Sequence, residues 1–412
     1  MNSIGQLLEF FAKISRRGVI ILLAFGLVGA IAGCGQSSFG DLFSSSNTTA
    51  QQTPQINQPT PGGTRIAMLL PLTASGKAGE IARSLKEAGE LALFDTKDPG
   101  FVLVSKDTKG TSAGAQAAVN QALSEGAELI IGPLFAGSVR AAAPVAQARS
   151  VPLVAFSTDR NVAGNGVYLL SFLPTQDVER IVDYAVKRRI TRFAAMIPRS
   201  AYGNVVAQAF KKAVAARRGR LVALERYTRT EQGVEAPAKK LIAATKTGRI
   251  KAQAIFIPEG GKILRAIGTA LAANGLDKKK VRLLGTGLWD EPNIGTATAL
   301  TGGWFAAPTP SSKQSFVNRY RGAYGRQPPR IASLAYDAIS LSVALSRNTP
   351  QGQRYLPDRI TNKDGFAGVD GLFRLTPEGL NQRGLAILEV TPTQAKVIDQ
   401  APTVFDQKSA AF

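Results

Sequence analysis

One stretch of the chain, residues 127–159, narrows the choice of folds more than any other. A short apolar run at 129–131 is stopped by Gly132-Pro133, and small residues with helical spacing cover 136–148. A second apolar run at 152–156 then ends in Ser157-Thr158. Strand, crossover helix and strand in this order make a right-handed βαβ unit with parallel strands. Open parallel sheets bind ligands beyond the carboxyl ends of their strands. Here both ends are followed by small or hydroxylated residues: Gly132, Gly137 and Ser138, then Ser157 and Thr158. Backbone amides and hydroxyls are therefore available to hold a small molecule.

The same alternation surrounds this unit. Upstream, strands are predicted at 66–70 and 101–105 and helices at 78–94 and 112–124, where Ile81, Leu85, Ala88 and Ala92 line one helical face. An apolar strand at 168–174 runs into proline, and a second cycle begins. It has strands at 192–197, 221–227, 252–257 and 281–284, with helices at 177–188, 205–216, 236–244 and 262–273. Another crossing point falls at 304–308, helices at 315–324 and 331–345, and closing strands at 366–375 and 385–390. Alternating elements of this length predict an α/β fold with two doubly wound units. The halves share element order but no sequence repeat.

Composition removes whole classes of chemistry. The 412 residues include no histidine and one cysteine. That excludes histidine-based triads and proton shuttles, disulfides, and nearly all common zinc sites. No nucleophile–base pair is present, so no enzyme activity and no cofactor is expected. Glycine pairs such as Gly285-Thr286-Gly287 form no dinucleotide fingerprint. The net charge of +21 is spread along the chain in short clusters, Lys187-Arg188-Arg189, Arg217-Arg218 and Lys278-Lys279-Lys280. These sit near helix ends, where cations favour the helix dipole, and they also suit an anionic surface such as phospholipid, lipopolysaccharide or cell-wall polymer. No nucleic-acid module accompanies them, and no nucleic-acid partner is expected.

The first 34 residues read as a signal and not as part of the fold. Lys13, Arg16 and Arg17 precede an apolar run at 18–31 that is too short for a comfortable membrane span. Residues 35–63 are rich in Ser, Thr, Asn, Gln and Pro and should form a flexible tether. The run ends Ile31-Ala32-Gly33-Cys34, which resembles the bacterial lipobox. That resemblance implies cleavage before Cys34 and lipidation of its sulfur, hence a periplasmic, lipid-anchored protein. Gly35 in place of aspartate leans towards the outer membrane. Cleavage removes Glu9 with the three bases and leaves a charge of +19, so the basic character belongs to the exported part.

Taken in order, these pieces resemble the type I periplasmic binding proteins, and within them the leucine/isoleucine/valine-binding group. The matching residues are the strand 66–70, Ile131-Gly132-Pro133 with Ser138 after it, and Val151-Pro152-Leu153-Val154. Ala201-Tyr202-Gly203 and Gly368-Val369-Asp370-Gly371-Leu372-Phe373-Arg374 also match. The resemblance covers residues 64 to about 400. It implies two lobes joined by three crossovers, with the ligand cleft between them: 64–173 with 308–382, and 174–307 with 383–412. In amino-acid-binding members a serine after the Gly-Pro turn holds the ligand carboxylate, and Ser138 matches it; it is equally suited to be a helix cap. Tyr202, followed by glycine, would line the pocket or pack at its rim. Ser157 and Thr158 stand for the family's threonine-containing loop. Glu259, in a shortened loop, and Asp290 are the candidate carboxylates for a ligand amino group, or else helix caps.

The functional expectation is a lipid-anchored protein that captures a small, polar, amino-acid-like ligand for an ABC permease. A second resemblance gives the alternative. Leu69-Leu70-Pro71-Leu72, Gly132-Pro133-Leu134, the lipobox and the tether are similar to outer-membrane lipoproteins that activate penicillin-binding proteins. Those stimulate peptidoglycan synthesis by protein contact, and their clefts need hold no amino acid.

Overall fold

A computed structural model describes residues 63–246 and 251–405. The signal segment, Cys34 and the tether up to residue 62 lie outside the described residues, as do residues 406–412.

The chain opens with β1 (Thr64–Leu70), α1 (Lys77–Thr96), β2 (Phe101–Asp107) and α2 (Ser112–Ser124). β3 (Leu129–Ile131), α3 (Ala136–Gln147), β4 (Leu153–Ala155) and β5 (Val167–Leu169) follow. These strands form a parallel sheet in the order β2-β1-β3-β4-β5. Alternate residues of β1 serve opposite faces. Ile66, Met68 and Leu70 pack with α1, while Ala67 and Leu69 pack with α2 and α3. All five are fully buried, and each large one contributes about 1.5–3 kcal/mol by leaving water.

The second cycle runs α4 (Pro174–Lys187), β6 (Arg192–Pro198), α5 (Ala201–Ala216), β7 (Arg220–Tyr227) and α6 (Glu235–Lys246). It continues through β8 (Ala254–Ile257), α7 (Gly261–Ala273), β9 (Arg282–Gly285) and β10 (Trp304–Ala307). Again the faces alternate: Phe193, Ala195 and Ile197 pack with α4 and α5, Ala194 and Met196 with α6 and α7. The chain then leaves for α8 (Pro310–Tyr324), α9 (Ala332–Ser346) and α10 (Pro357–Ile360). A small antiparallel sheet comes next, β11 (Phe366–Gly368), β12 (Gly371–Leu375) and β13 (Asn381–Arg383). The last strands, β14 (Ala386–Val390) and β15 (Ala395–Asp399), join the second large sheet, whose order is β15-β14-β10-β9-β8-β6-β7.

The α/β, doubly wound expectation is met. The stretch 366–375, expected as one strand, is a hairpin. Val369 and Asp370 form its turn, and Gly371 takes φ 89°, the left-handed region that no branched side chain tolerates well. Too few polar residues interrupt the run to signal a reversal. Neither β13, short and polar, nor β15, where Ala395 and Val397 alternate with Lys396 over only five residues, was predicted. Among the described residues, no helix is long and apolar enough to cross a membrane.

Candidate ligand cleft

Three strand ends of the second sheet converge on one polar cluster. Ser200 caps α5, its Oγ accepting the Gly203 N–H at 3.1 Å, and so sets Tyr202 in the first turn. Tyr202 lies beside Thr286, Asp177 and Glu259; burial first, then the two carboxylates, push its phenol well above the ordinary range. Thr286 follows β9 and is fully buried. Glu259, after β8, is 3% exposed.

Glu259 is fully subscribed. Tyr227 donates its hydroxyl to Oε2 at 2.8 Å, and Arg229 grips both oxygens, Nε at 3.0 Å and Nη2 at 2.9 Å. The Gly260 N–H adds a fourth bond at 3.1 Å. A carboxylate has about four lone-pair sites, so a ligand ammonium would have to displace one of these donors. Burial, and then Glu259, raise the Tyr227 phenol far above its usual value. Asp290 is occupied as well: Lys313 of α8 forms an ion pair with it. Neither residue acts as a side-chain helix cap.

The first sheet places the other expected residues at its strand ends. Gly132 has φ 86°, and a Cβ there would lie 2.2 Å from the Leu69 carbonyl oxygen, so the turn after β3 demands glycine. The residue capping α3 is Phe135, which offers no side-chain bond; Ser138 is three positions further in than the cap. Ser138 is buried, with its Oγ 3.5 Å from the Thr111 carbonyl. Ser157 is buried and accepts the Asp159 N–H at 3.2 Å, whereas Thr158 is exposed. Tyr202 and Glu259 thus share one cluster. Ser138, Ser157 and Thr158 stand at the ends of the first sheet, and Asp290 pairs elsewhere.

A second cluster sits where the chain passes between the sheets. Phe172 lies between β5 and α4, Arg330 just ahead of α9, and Arg383 just ahead of β14. The Arg330 and Arg383 guanidiniums both lie over the Phe172 ring, 4.4 and 5.0 Å from its centroid, two cation–π contacts to one ring. Arg330 Nη1 donates to the Gly287 carbonyl at 2.6 Å, and Asp177 Oδ2 accepts the Gly287 N–H at 2.8 Å. A Cβ at residue 287 would lie 2.7 Å from Arg330 Nη1, which explains the glycine. Burial pushes the Asp177 carboxyl up to about 6, against the pull of Arg330, the Gly287 bond and Arg383.

Deeper in, Arg383 is 2% exposed and faces Asp337 Oδ2 at 3.7 Å. None of its three guanidinium nitrogens makes a hydrogen bond. Asp337 accepts the Val369 N–H at 2.6 Å, and burial lifts its carboxyl to about 7 although Arg383 pulls it down. Sequence reading missed this cluster. Its members are scattered over more than 200 positions, and the one available signal was an arginine abutting the apolar run of β14.

The arrangement suits holding and closing upon a solute. The chain matches the periplasmic binding protein family over residues 63–394. It belongs to that family. As a periplasmic binding protein it has the expected leucine-binding-protein-like type I fold, and solved structures share it. A Rhodospirillum rubrum protein named for branched-chain amino acid ABC transport is 20% identical, with 82% of this chain and 100% of that one covered and a TM-score of 0.70. A Rhodopseudomonas palustris solute-binding protein, solved with 3,4-dihydroxybenzoic acid, is 19% identical over 85% and 100%, with a TM-score of 0.60. A Burkholderia xenovorans branched-chain amino acid ABC transporter ligand-binding protein is 18% identical over 84% and 98%, with a TM-score of 0.64. No curated protein sequence matches significantly.

Proposed function

We propose that this protein, lipid-anchored through Cys34, captures a small, polar, amino-acid-like solute between its lobes and presents it to an ABC importer. The observation that carries this reading is the cluster at the ends of β6 and β9, where Tyr202, Thr286 and Asp177 surround Gly287. With Glu259 and Asp290 held in ion pairs, Asp177 is the partly accessible carboxylate left for a ligand ammonium. The amino end of α3, after Gly132-Pro133, suits a ligand carboxylate, because its unpaired N–H groups and the dipole favour an anion. Family membership and the named roles of the similar proteins support the same reading. Calorimetry of the purified protein against amino acids and aromatic carboxylates tests it. Binding that Asp177→Asn weakens for amino acids only is expected; no heat with any solute would sink it.

The activation of a penicillin-binding protein remains the second reading, favoured by one observation. Both expected ligand carboxylates are satisfied internally, while Phe135 after β3 and Leu288 after β9 are 39% and 45% exposed. Exposed apolar side chains near carboxylates already paired within the chain suit contact with a protein. Stimulation of a purified peptidoglycan synthase, lost in Phe135→Asp and Leu288→Asp, would favour this reading over import.

A further inference from the structure

The edge of the second sheet that faces away from the candidate cleft is strongly basic. Strand register fixes what lies along it: Arg192 pairs with Arg220, and Arg282 lies opposite the first residue of β8. The helices of this sheet deliver their carboxyl ends to the same edge. Lys187, Arg188 and Arg189 follow one another, exposed, where α4 hands over to β6. Arg218 and Arg220 are exposed between α5 and β7, Lys251 ahead of β8, and Lys278, Lys279 and Lys280 ahead of β9. Few acids balance them. Asp183 is shared by Lys187 at 2.9 Å and Arg217 at 3.2 Å, Asp277 pairs with Lys280 at 3.2 Å, and Glu389 is 3.9 Å from Arg282.

Helix dipoles alone do not account for this. The corresponding edge of the first sheet receives α1, α2 and α3, none of which has a basic residue in its last turn. There Lys97 is followed by Asp98, Glu125 binds Lys106 at 2.5 Å and Glu128 binds Arg354 at 2.6 Å, with Arg149 an exposed exception. Two edges with the same topology thus differ in charge, and the charge belongs to one end of the molecule.

We propose that this edge docks on an anionic lipid bilayer. Seven strands at about 4.8 Å spacing give an end roughly 30 Å wide, a broad band and not a groove. The large apolar side chains exposed among the described residues, Phe94, Phe135, Val205, Leu288, Leu356 and Val404, lie on other parts of the chain. Among the described residues, nothing at the edge stacks on bases or inserts into acyl chains, so the attraction is electrostatic and sensitive to salt. On the lipid-anchored reading, on which this step rests, the acyl anchor at Cys34 holds the body near the bilayer. The docked edge would leave the cleft ends of the strands free.

The test uses the full chain and two kinds of vesicle, phosphatidylcholine alone and phosphatidylcholine with one third phosphatidylglycerol. Each basic group near an anionic surface is worth roughly a fivefold gain in binding. With four or more of these groups engaged at once, wild type should therefore prefer the anionic vesicles by about a thousandfold at low salt and lose the preference at high salt. A variant carrying Arg188→Gln, Arg189→Gln, Arg218→Gln and Lys279→Gln should lose most of it, and the four Glu substitutions all of it. Lys97→Gln with Arg149→Gln should keep it. Equal preference in the four-Gln variant overturns the proposal, as does an anionic preference that persists undiminished at high salt. Failure of the anchor reads separately, as absence of binding to neutral vesicles with the anionic preference intact.

Discussion

Arg229 closes both carboxylate oxygens of Glu259, yet its own side chain is 56% exposed while Glu259 is 3% exposed. The pair acts as a plug at the end of β8, a buried acid held by a base reaching in from solvent. Exposure of the arginine screens the attraction, so Arg229→Ala should cost about 1–2 kcal/mol, below the 3–5 typical of breaking a fully buried pair. Chemical denaturation measures this. Unchanged stability would mean that water replaces the guanidinium.

Acidity should stabilise this protein over a defined window. Asp177 and Asp337 have folded pKa values of about 6 and about 7, above the ordinary aspartate value of 3.8. A raised folded pKa means that the native state holds protons the unfolded chain has released. That stability is complete below pH 4 and is lost as pH rises through 6 to 7, by about 1.4 kcal/mol per pH unit for each group. Denaturation midpoints measured across this range should fall with pH, and the fall should shrink in Asp337→Asn. An identical slope in that variant would refute the assignment to Asp337.

Arg383 and Asp337 should respond unequally to removal. Asp337→Leu strands a guanidinium that cannot give up its proton, and should cost about 3–5 kcal/mol. Arg383→Met leaves a carboxyl that can take up a proton near neutrality and should cost less. The double variant should recover part of the loss, because it buries neither charge. A double-mutant cycle checks this, and equal single costs with additive losses would count against it.

Gly287→Ala should force Arg330 away from the Gly287 carbonyl, since the new Cβ would lie 2.7 Å from Nη1. Loss of that charged hydrogen bond is worth about 1.5–3 kcal/mol. Arg330→Ala should remove nearly all the sensitivity of stability to the alanine at 287.

Much of the fold was legible because it rests on local pattern. The buried runs at β1, β3, β6 and β8 and the glycine demanded by the turn after β3 announce themselves within a few residues. The candidate site was legible only in part. Tyr202 and Glu259, singled out by the resemblance, both follow strand ends, but the sequence carries no such pointer to their neighbours. Arg229 is separated from Glu259 by 30 residues and Arg383, at the end of β13, from Asp337 by α10 and the β11–β12 hairpin, and no periodicity marks either pairing. Ser138 illustrates the opposite error. Its residue type suited a cap, yet the helix begins at Ala136, where its spacing put it, so Phe135 is the capping residue and the serine is buried one turn inside.

The packing of α1 has a consequence for the chain's biogenesis. Tyr320 reaches Glu87 across 233 positions and Tyr336 reaches Asp95 across 241, while β10 waits for β14, which follows 80 residues later. The partners of the first helix and of β10 are among the last parts synthesised. Closing such long loops must precede the contacts that reward it, so a nascent chain short of its final quarter has little to gain by collapsing. The polypeptide should therefore stay extended until nearly complete, the state in which a threading pore handles it most easily.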